Sequence, residues 1–153
     1  MDMPSPNEHH ERLARFAGTW GGTETMHPSQ WDPKGGTCQA TTTWRMDLAG
    51  FVLTTDYQQS RDGQVTYSGH GVYTIDPQSS EVVLHWFDVM GGQREEFRGT
   101  WNGDALTIQS NNPHMSMRLT YDLSTPGKLI NKGEMSNDGQ SWNTLFDGEH
   151  TKQ

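Results

Sequence analysis

The chain has 153 residues, of which Leu, Ile, Val and Phe supply only 23, or 15%, and its net charge is −8. Both values lean towards disorder, which becomes the default below roughly 20% aliphatic-plus-Phe content. Six Trp, eight Met and four Tyr raise the large apolar side chains to 41, however, and each buried aromatic removes roughly 150–250 Å² from water. The 11 basic residues are scattered, which argues against nucleic acid or an anionic membrane as partner, since both are bound through clustered Lys and Arg.

The length fits one domain spanning residues 1–153, with no Pro/Ser-rich linker or charge block inside it. No apolar run approaches the roughly 18 residues of a membrane span, and Met1 to His10 is polar where a signal peptide would be basic and then apolar. A soluble cytoplasmic protein is expected. The lone Cys38 can form no internal disulfide and no thiolate metal site, and reads as a small buried or half-buried residue.

Ser5-Pro6-Asn7-Glu8 places a hydroxyl at an N-cap, Pro at the first helical position and Glu at the third. That predicts a short capping helix over 5–16 with Leu13 and Phe16 on its apolar stripe. From Gly18 the chain turns to short runs rich in Thr, Tyr, Trp and Val, separated by turns such as Arg61-Asp62-Gly63, Asp76-Pro77, Gly91-Gly92 and Asn102-Gly103. Ten strands are predicted, near 18–27, 36–47, 50–60, 64–76, 81–90, 94–101, 104–111, 115–123, 128–137 and 140–149. An antiparallel up-and-down meander of that length is expected to close into an all-β barrel over 18–150, because closure removes exposed edges.

Turn types set a trial register. A two-residue turn at Asn102-Gly103 pairs Trp101 with Asp104 and Phe97 with Ile108, and the next turn sets Ile108 opposite Met117. A three-residue loop at Arg61-Asp62-Gly63 pairs Tyr57 with Tyr67, Leu53 with Gly71 and Phe51 with Tyr73. Gly71 then meets Trp86 and Gly69 meets Asp88, while Met46 meets Phe51 and Trp44 meets Leu53. One face collects Trp44, Met46, Phe51, Leu53, Tyr57, Tyr67, Tyr73, Trp86, Asp88, Phe97, Ile108, Met117 and Leu119, and is assigned to the interior. Its glycines fall opposite its largest rings.

Several motifs carry a resemblance. They are Gly18-Thr19-Trp20 after a short helix, Leu48-Ala49-Gly50-Phe51, Gly69-His70-Gly71-Val72-Tyr73 with Asp76, Trp86-Phe87-Asp88-Val89-Met90, and Ser136-Asn137-Asp138-Gly139-Gln140-Ser141-Trp142. The ordered set resembles a bacterial calycin-like, ten-stranded barrel family of unknown function, similar at a distance to nitrobindin, lipocalin and fatty-acid-binding-protein barrels. The resemblance implies the fold and an internal cavity, and no reaction. It also implies a heme reading, because nitrobindin-like relatives hold heme through a His near the C-terminal strands; His150, expected at the frayed chain end, is the position that corresponds.

Asp88 is the most informative polar residue, since the trial register points it into the barrel, where a carboxylate needs hydrogen-bonded or charged partners. Glu95 lies across the Gly91-Gly92 turn on the same face. The pair could share a proton and act as general acid and base, or Asp88 could accept bonds from a lumen Tyr or Trp while Glu95 reaches the barrel mouth. His9 and His10 diverge on a helix, no metal-ligand spacing occurs, and no metal is expected. His70 and His85 fall on the outer face with Val83, Phe87 and Val89, an apolar strip that reads as a homodimer contact. The leading functional reading is a barrel binding a small apolar or aromatic molecule, with Trp44, Phe51, Tyr57, Tyr67, Tyr73, Trp86, Met117 and Trp142 as walls and Asp88 as the orienting group. An isomerase, cyclase or hydrolase using Asp88 and Glu95 is the second reading, and heme binding the third.

Overall fold

A computed structural model describes residues 2–153 as a closed ten-stranded antiparallel barrel with one short N-terminal helix. The strands are β1 (Gly18–Met26), β2 (Gly36–Asp47), β3 (Val52–Arg61), β4 (Gln64–Ile75), β5 (Val82–Asp88), β6 (Glu95–Asn102), β7 (Ala105–Asn111), β8 (Ser116–Asp122), β9 (Lys128–Ser136) and β10 (Asn143–Lys152). Each pairs with its neighbour in sequence, and β1 pairs with β10 to close the sheet. β2 shows the alternation most clearly: Cys38, Ala40, Thr42 and Trp44 are buried while Thr37, Gln39, Thr41, Thr43 and Arg45 are exposed. Period-two side-chain alternation on a half-buried sheet produces that pattern. Among the described residues no helix is long and apolar enough to cross a membrane.

The helix α1 (Glu8–Leu13) begins two residues later than Ser5-Pro6 suggests. Asn7 is its N-cap, its side chain accepting from His9 N at 2.9 Å, and Nδ1 of His10 at the third position accepts from the Asn7 backbone N–H at 3.1 Å. Asn is as good a cap as Ser, and here the reciprocal partner is an imidazole. A 3-10 turn, Ala14–Phe16, follows, and Leu13 and Phe16 are fully buried. Phe16 stacks on Trp44 at 4.7 Å and meets Trp101 at 5.6 Å and Tyr121 at 5.9 Å, so it plugs one end of the barrel. Trp20 Nε1 donates to the Phe16 carbonyl at 2.8 Å and ties the plug to β1.

Four of the trial registers are each displaced by two residues. Tyr57 pairs with Gly69 and Leu53 with Tyr73, because Arg61 pairs directly with Gln64 across a two-residue Asp62-Gly63 turn and a bulge then follows at Gln59/Ser60. Both turn residues have positive φ, 50° and 78°, as a type I′ turn requires. Trp101 pairs with Leu106, Ile108 with Leu119 and Met46 with Leu53. Gly71 opposite Trp86 and Gly69 opposite Asp88 stand as expected. A shift of two leaves every side chain on its original face, which is why the interior, Phe51 apart, is right where the pairings are wrong.

The outer His70 and His85 are opposite Phe87 and Val72. Phe87 and Val89 are exposed, at 37% and 63%, whereas Val83 is buried. On the inner side, Trp86 lies flat over Gly69 and Gly71. A Cβ on Gly69 would overlap Trp86 Cζ2, and one on Gly71 would come within 3.0 Å of Trp86 Cε3. The substitution Gly69→Ala is expected to destabilise the barrel by about 1–3 kcal/mol through overpacking and to shift tryptophan emission, both measurable in one urea titration followed by fluorescence. Unchanged stability and emission would contradict this packing.

Candidate functional site

The lumen encloses a cavity of about 570 Å³, within the roughly 300–1,000 Å³ of small-molecule sites. The Phe16 plug closes one end. At the other lie the β1–β2 loop with Trp31, the β5–β6 loop with Met90, and the upper ends of β3 and β10. Arg61 holds the β1–β2 loop through Asp32 at 2.5 Å and the Gly35 carbonyl at 3.4 Å. His27 bonds Asp147 at 2.6 Å on the other side of that loop.

Of the residues expected as walls, Trp44, Tyr57, Tyr67, Tyr73, Trp86 and Met117 line this cavity, together with the orienting group Asp88 and the acid/base candidate Glu95. Phe51 does not. The turn Leu48–Gly50 delays β3 to Val52, so Phe51 lies beyond the sheet edge and meets His10 edge-on at 5.3 Å beneath the helix. Trp142 does not either. It sits in the β9–β10 loop outside the barrel, where the Arg118 guanidinium stacks on it at 4.1 Å while bonding both Glu134 oxygens at 3.0 and 3.1 Å. That bidentate pair holds the Glu134 carboxyl below its usual range.

Asp88 accepts from Tyr67 Oη at 2.7 Å, Trp86 Nε1 at 3.0 Å and the Met90 amide at 2.9 Å. Glu95 stands opposite Trp86 and accepts from Ser110 Oγ at 2.8 Å. Each carboxylate therefore has its own neutral donors, and neither is a hydrogen-bond partner of the other.

The polar centre behind the lumen wall lies elsewhere, around Glu24, which the sequence reading passed over together with Gln59 and Asn131. Glu24 is fully buried on β1. It accepts from Tyr57 Oη at 2.7 and 2.8 Å, Gln59 Nε2 at 3.4 Å, Asn131 Nδ2 at 3.3 Å and His150 Nε2 at 3.1 Å. Gly148 makes the space, since a Cβ there would come within 2.6 Å of Glu24 Cγ. His150 is not frayed but 1% exposed, because β10 runs on to Lys152 between β1 and β9. A carboxylate only accepts, so in the neutral ring Nε2 carries the hydrogen and Nδ1 presents a lone pair. Nδ1 of His150, Oδ1 of Asn131, Oγ1 of Thr55 and Nε1 of Trp44 are buried without a hydrogen-bond partner among the described residues, and all four residues line the cavity. Buried polar atoms are otherwise paired almost without exception. The signal for Glu24 was the alternation Trp20, Gly22, Glu24, Met26, which puts it on the inward face.

All four tyrosines of the chain face the lumen. Burial, and then the Glu24 charge, pushes the Tyr57 phenol well above its ordinary range; burial does the same for Tyr73. Burial and the bond to Asp88 raise Tyr67, and burial takes Tyr121 up to about 12. The folded state thus keeps protons that the unfolded chain releases above roughly pH 10. Stability from this source is full below that pH and falls as pH rises. An ultraviolet absorbance titration is expected to show no tyrosinate step near 10 in the folded protein, and a step there would contradict the buried placement.

Solved structures with the same fold include Rv2717c from M. tuberculosis, with TM-score 0.73, 14% identity, and coverage of 96% of this chain and 98% of that one. The S-type phycobiliprotein lyase CPES from Guillardia theta gives TM-score 0.62 and 9% identity over 97% of this chain and 98% of that one. A redesigned β-barrel gives TM-score 0.51 and 17% identity over 98% and 99%. At these identities the likeness carries the fold. Comparison with curated protein sequences gives no match. Residues 5–152 match the family described as Protein of unknown function (DUF1579), and the chain belongs to that family.

Proposed function

We propose that the barrel binds a small, largely apolar or aromatic molecule in its lumen, with Trp44, Tyr57, Tyr73 and Trp86 as walls and Asp88 as a fixed polar point. One observation carries this reading: a cavity of about 570 Å³ walled by rings contains four residues with buried polar atoms that the protein does not satisfy. Trp101 Nε1, beside the Phe16 plug, is unpartnered as well, so what counts is that the other four lie on residues around one cavity. Rigid rings set the shape, while Met26, Met90 and Met117 can adapt around an irregular guest. The neighbour named as a phycobiliprotein lyase has the same fold, and its name supports ligand handling by such barrels without supplying a substrate. The polar outer face of β2 is the reverse of a lipid-facing strand. Cys38 is buried and unpaired, its thiol raised to about 11 by burial and then by Glu24. Both features suit an aqueous, reducing compartment, and a cytoplasmic location is part of the proposal.

Naphthylmethanol titrated into the purified protein is expected to form a saturable one-to-one complex, followed by native mass spectrometry and quenching of Trp44 and Trp86. Filling the lumen with Met117→Trp, in a variant shown to fold by circular dichroism, is expected to weaken it at least about tenfold, or about 1.4 kcal/mol. No saturable complex of the native chain with this alcohol or with its ammonium and carboxylate counterparts would end this reading.

Heme is a second reading, favoured by one observation. His150 is held by a carboxylate through Nε2 while Nδ1 is buried and unpartnered, the arrangement that orients an imidazole metal ligand. His150 would hold the iron and Glu24 would fix the ring. The bound group would supply an iron centre for redox or small-gas chemistry. A Soret band on hemin titration, lost in His150→Ala, is the expected result of that reading, and an unchanged band in the variant removes His150 from it.

A further inference from the structure

The charge lining the lumen is one-sided. Asp32, Asp88 and Glu95 line the cavity, and Glu24 stands behind Tyr57 and His150. Arg61, the one Lys or Arg among the lining residues, is engaged by Asp32 at 2.5 Å. Arg94, one residue from Glu95 in the chain, turns to the outer face and bonds His85 and Glu96. Among the described residues Asp88 and Glu95 form no ion pair, and their partners are the neutral donors Tyr67, Trp86, Met90 N and Ser110. Neutral donors satisfy lone pairs but leave the net charge in place, and in an enclosure of low polarity that charge attracts a counter-charge strongly.

The rings beside these carboxylates add to the field. Tyr57 lies 6.0 Å from Tyr67 and 6.4 Å from Trp86 between ring centroids, and aromatic faces are negative and attract cations. A separate observation concerns hydrogen bonding. The unpartnered atoms of the lining residues are of both kinds: Thr55 Oγ1, Asn131 Oδ1 and His150 Nδ1 can accept from an N–H, and Trp44 Nε1 can only donate. The net charge of −8 also steers positive solutes towards the protein.

We propose that the lumen ligand is an organic cation, a protonated amine or nitrogen heterocycle on an aromatic or apolar body, with its positive nitrogen at Asp88 and Glu95 beside Trp86. The body extends inward past Tyr57 to Trp44 and Thr55. This rests on the binding reading above and narrows it to one charge class.

Isothermal titration of the full chain with three probes of one shape, naphthylmethylammonium, naphthylmethanol and naphthoate, tests the charge class directly. The ammonium is expected to bind at least about tenfold more tightly than the alcohol, with naphthoate weakest. Asp88→Asn and Glu95→Gln are each expected to weaken the ammonium at least about fivefold more than they weaken the alcohol. Should Asp88→Asn fail to fold, Glu95→Gln, which disturbs only the Ser110 bond, carries the test. Equal binding of ammonium and alcohol, or a preference for naphthoate, overturns the cation proposal and leaves the binding reading intact. Absence of saturable binding by all three probes overturns both.

Discussion

Pairing of β1 with β10 closes the sheet, and the site depends on that closure. Glu24 and His150 are 126 residues apart in the chain and 3.1 Å apart in the barrel. Gly22 pairs with His150 and Glu24 with Gly148 along this seam, so the carboxylate is placed where β10 has no side chain to oppose it. Four side chains then donate to one buried carboxylate. Such a group is tolerable in the interior only because its lone pairs are satisfied. Closure thus does two jobs: it removes the sheet's edges and it assembles a polar wall that no local segment of the chain contains.

The lumen remains open because space and bulk are set against each other across neighbouring strands. Trp86 on β5 lies over Gly69 and Gly71 on β4, which turns the largest side chain into a wall instead of a plug. Its indole donates to Asp88, so the ring is fixed both by contact and by hydrogen bond. At the far end Phe16 takes the opposite role and fills the space between Trp44, Trp101 and Tyr121. A small number of aliphatic residues is sufficient for this construction, since aromatic area replaces them.

The fold was legible because it rests on local signals. Turn dipeptides marked the strand ends, and alternation marked the face, which tolerates pairing errors of two residues, as with Tyr57, Trp101, Ile108 and Met46. What the sequence concealed lies where local rules end. Phe51 and Trp142 have the right type but stand just outside strands, where the next turn decides their direction. Glu24 was concealed by its type: a lone Glu in a Thr-rich strand reads as solvated until closure brings Tyr57, Asn131 and His150 to it. His150 was concealed by position, because a residue near a chain end is buried only if the last strand is paired on both sides, as β10 is.

A cavity between Trp44 and Asp88, walled by fixed rings, is the central claim. A crystal structure of the purified protein tests this most directly. It is expected to show Trp86 flat against Gly69 and Gly71, a cavity between Trp44 and Asp88, and density for a bound molecule or ordered water on His150 Nδ1 and Thr55 Oγ1. Tyr57, Tyr67 and Trp86 collapsed into the lumen, with no space left between them, would contradict it.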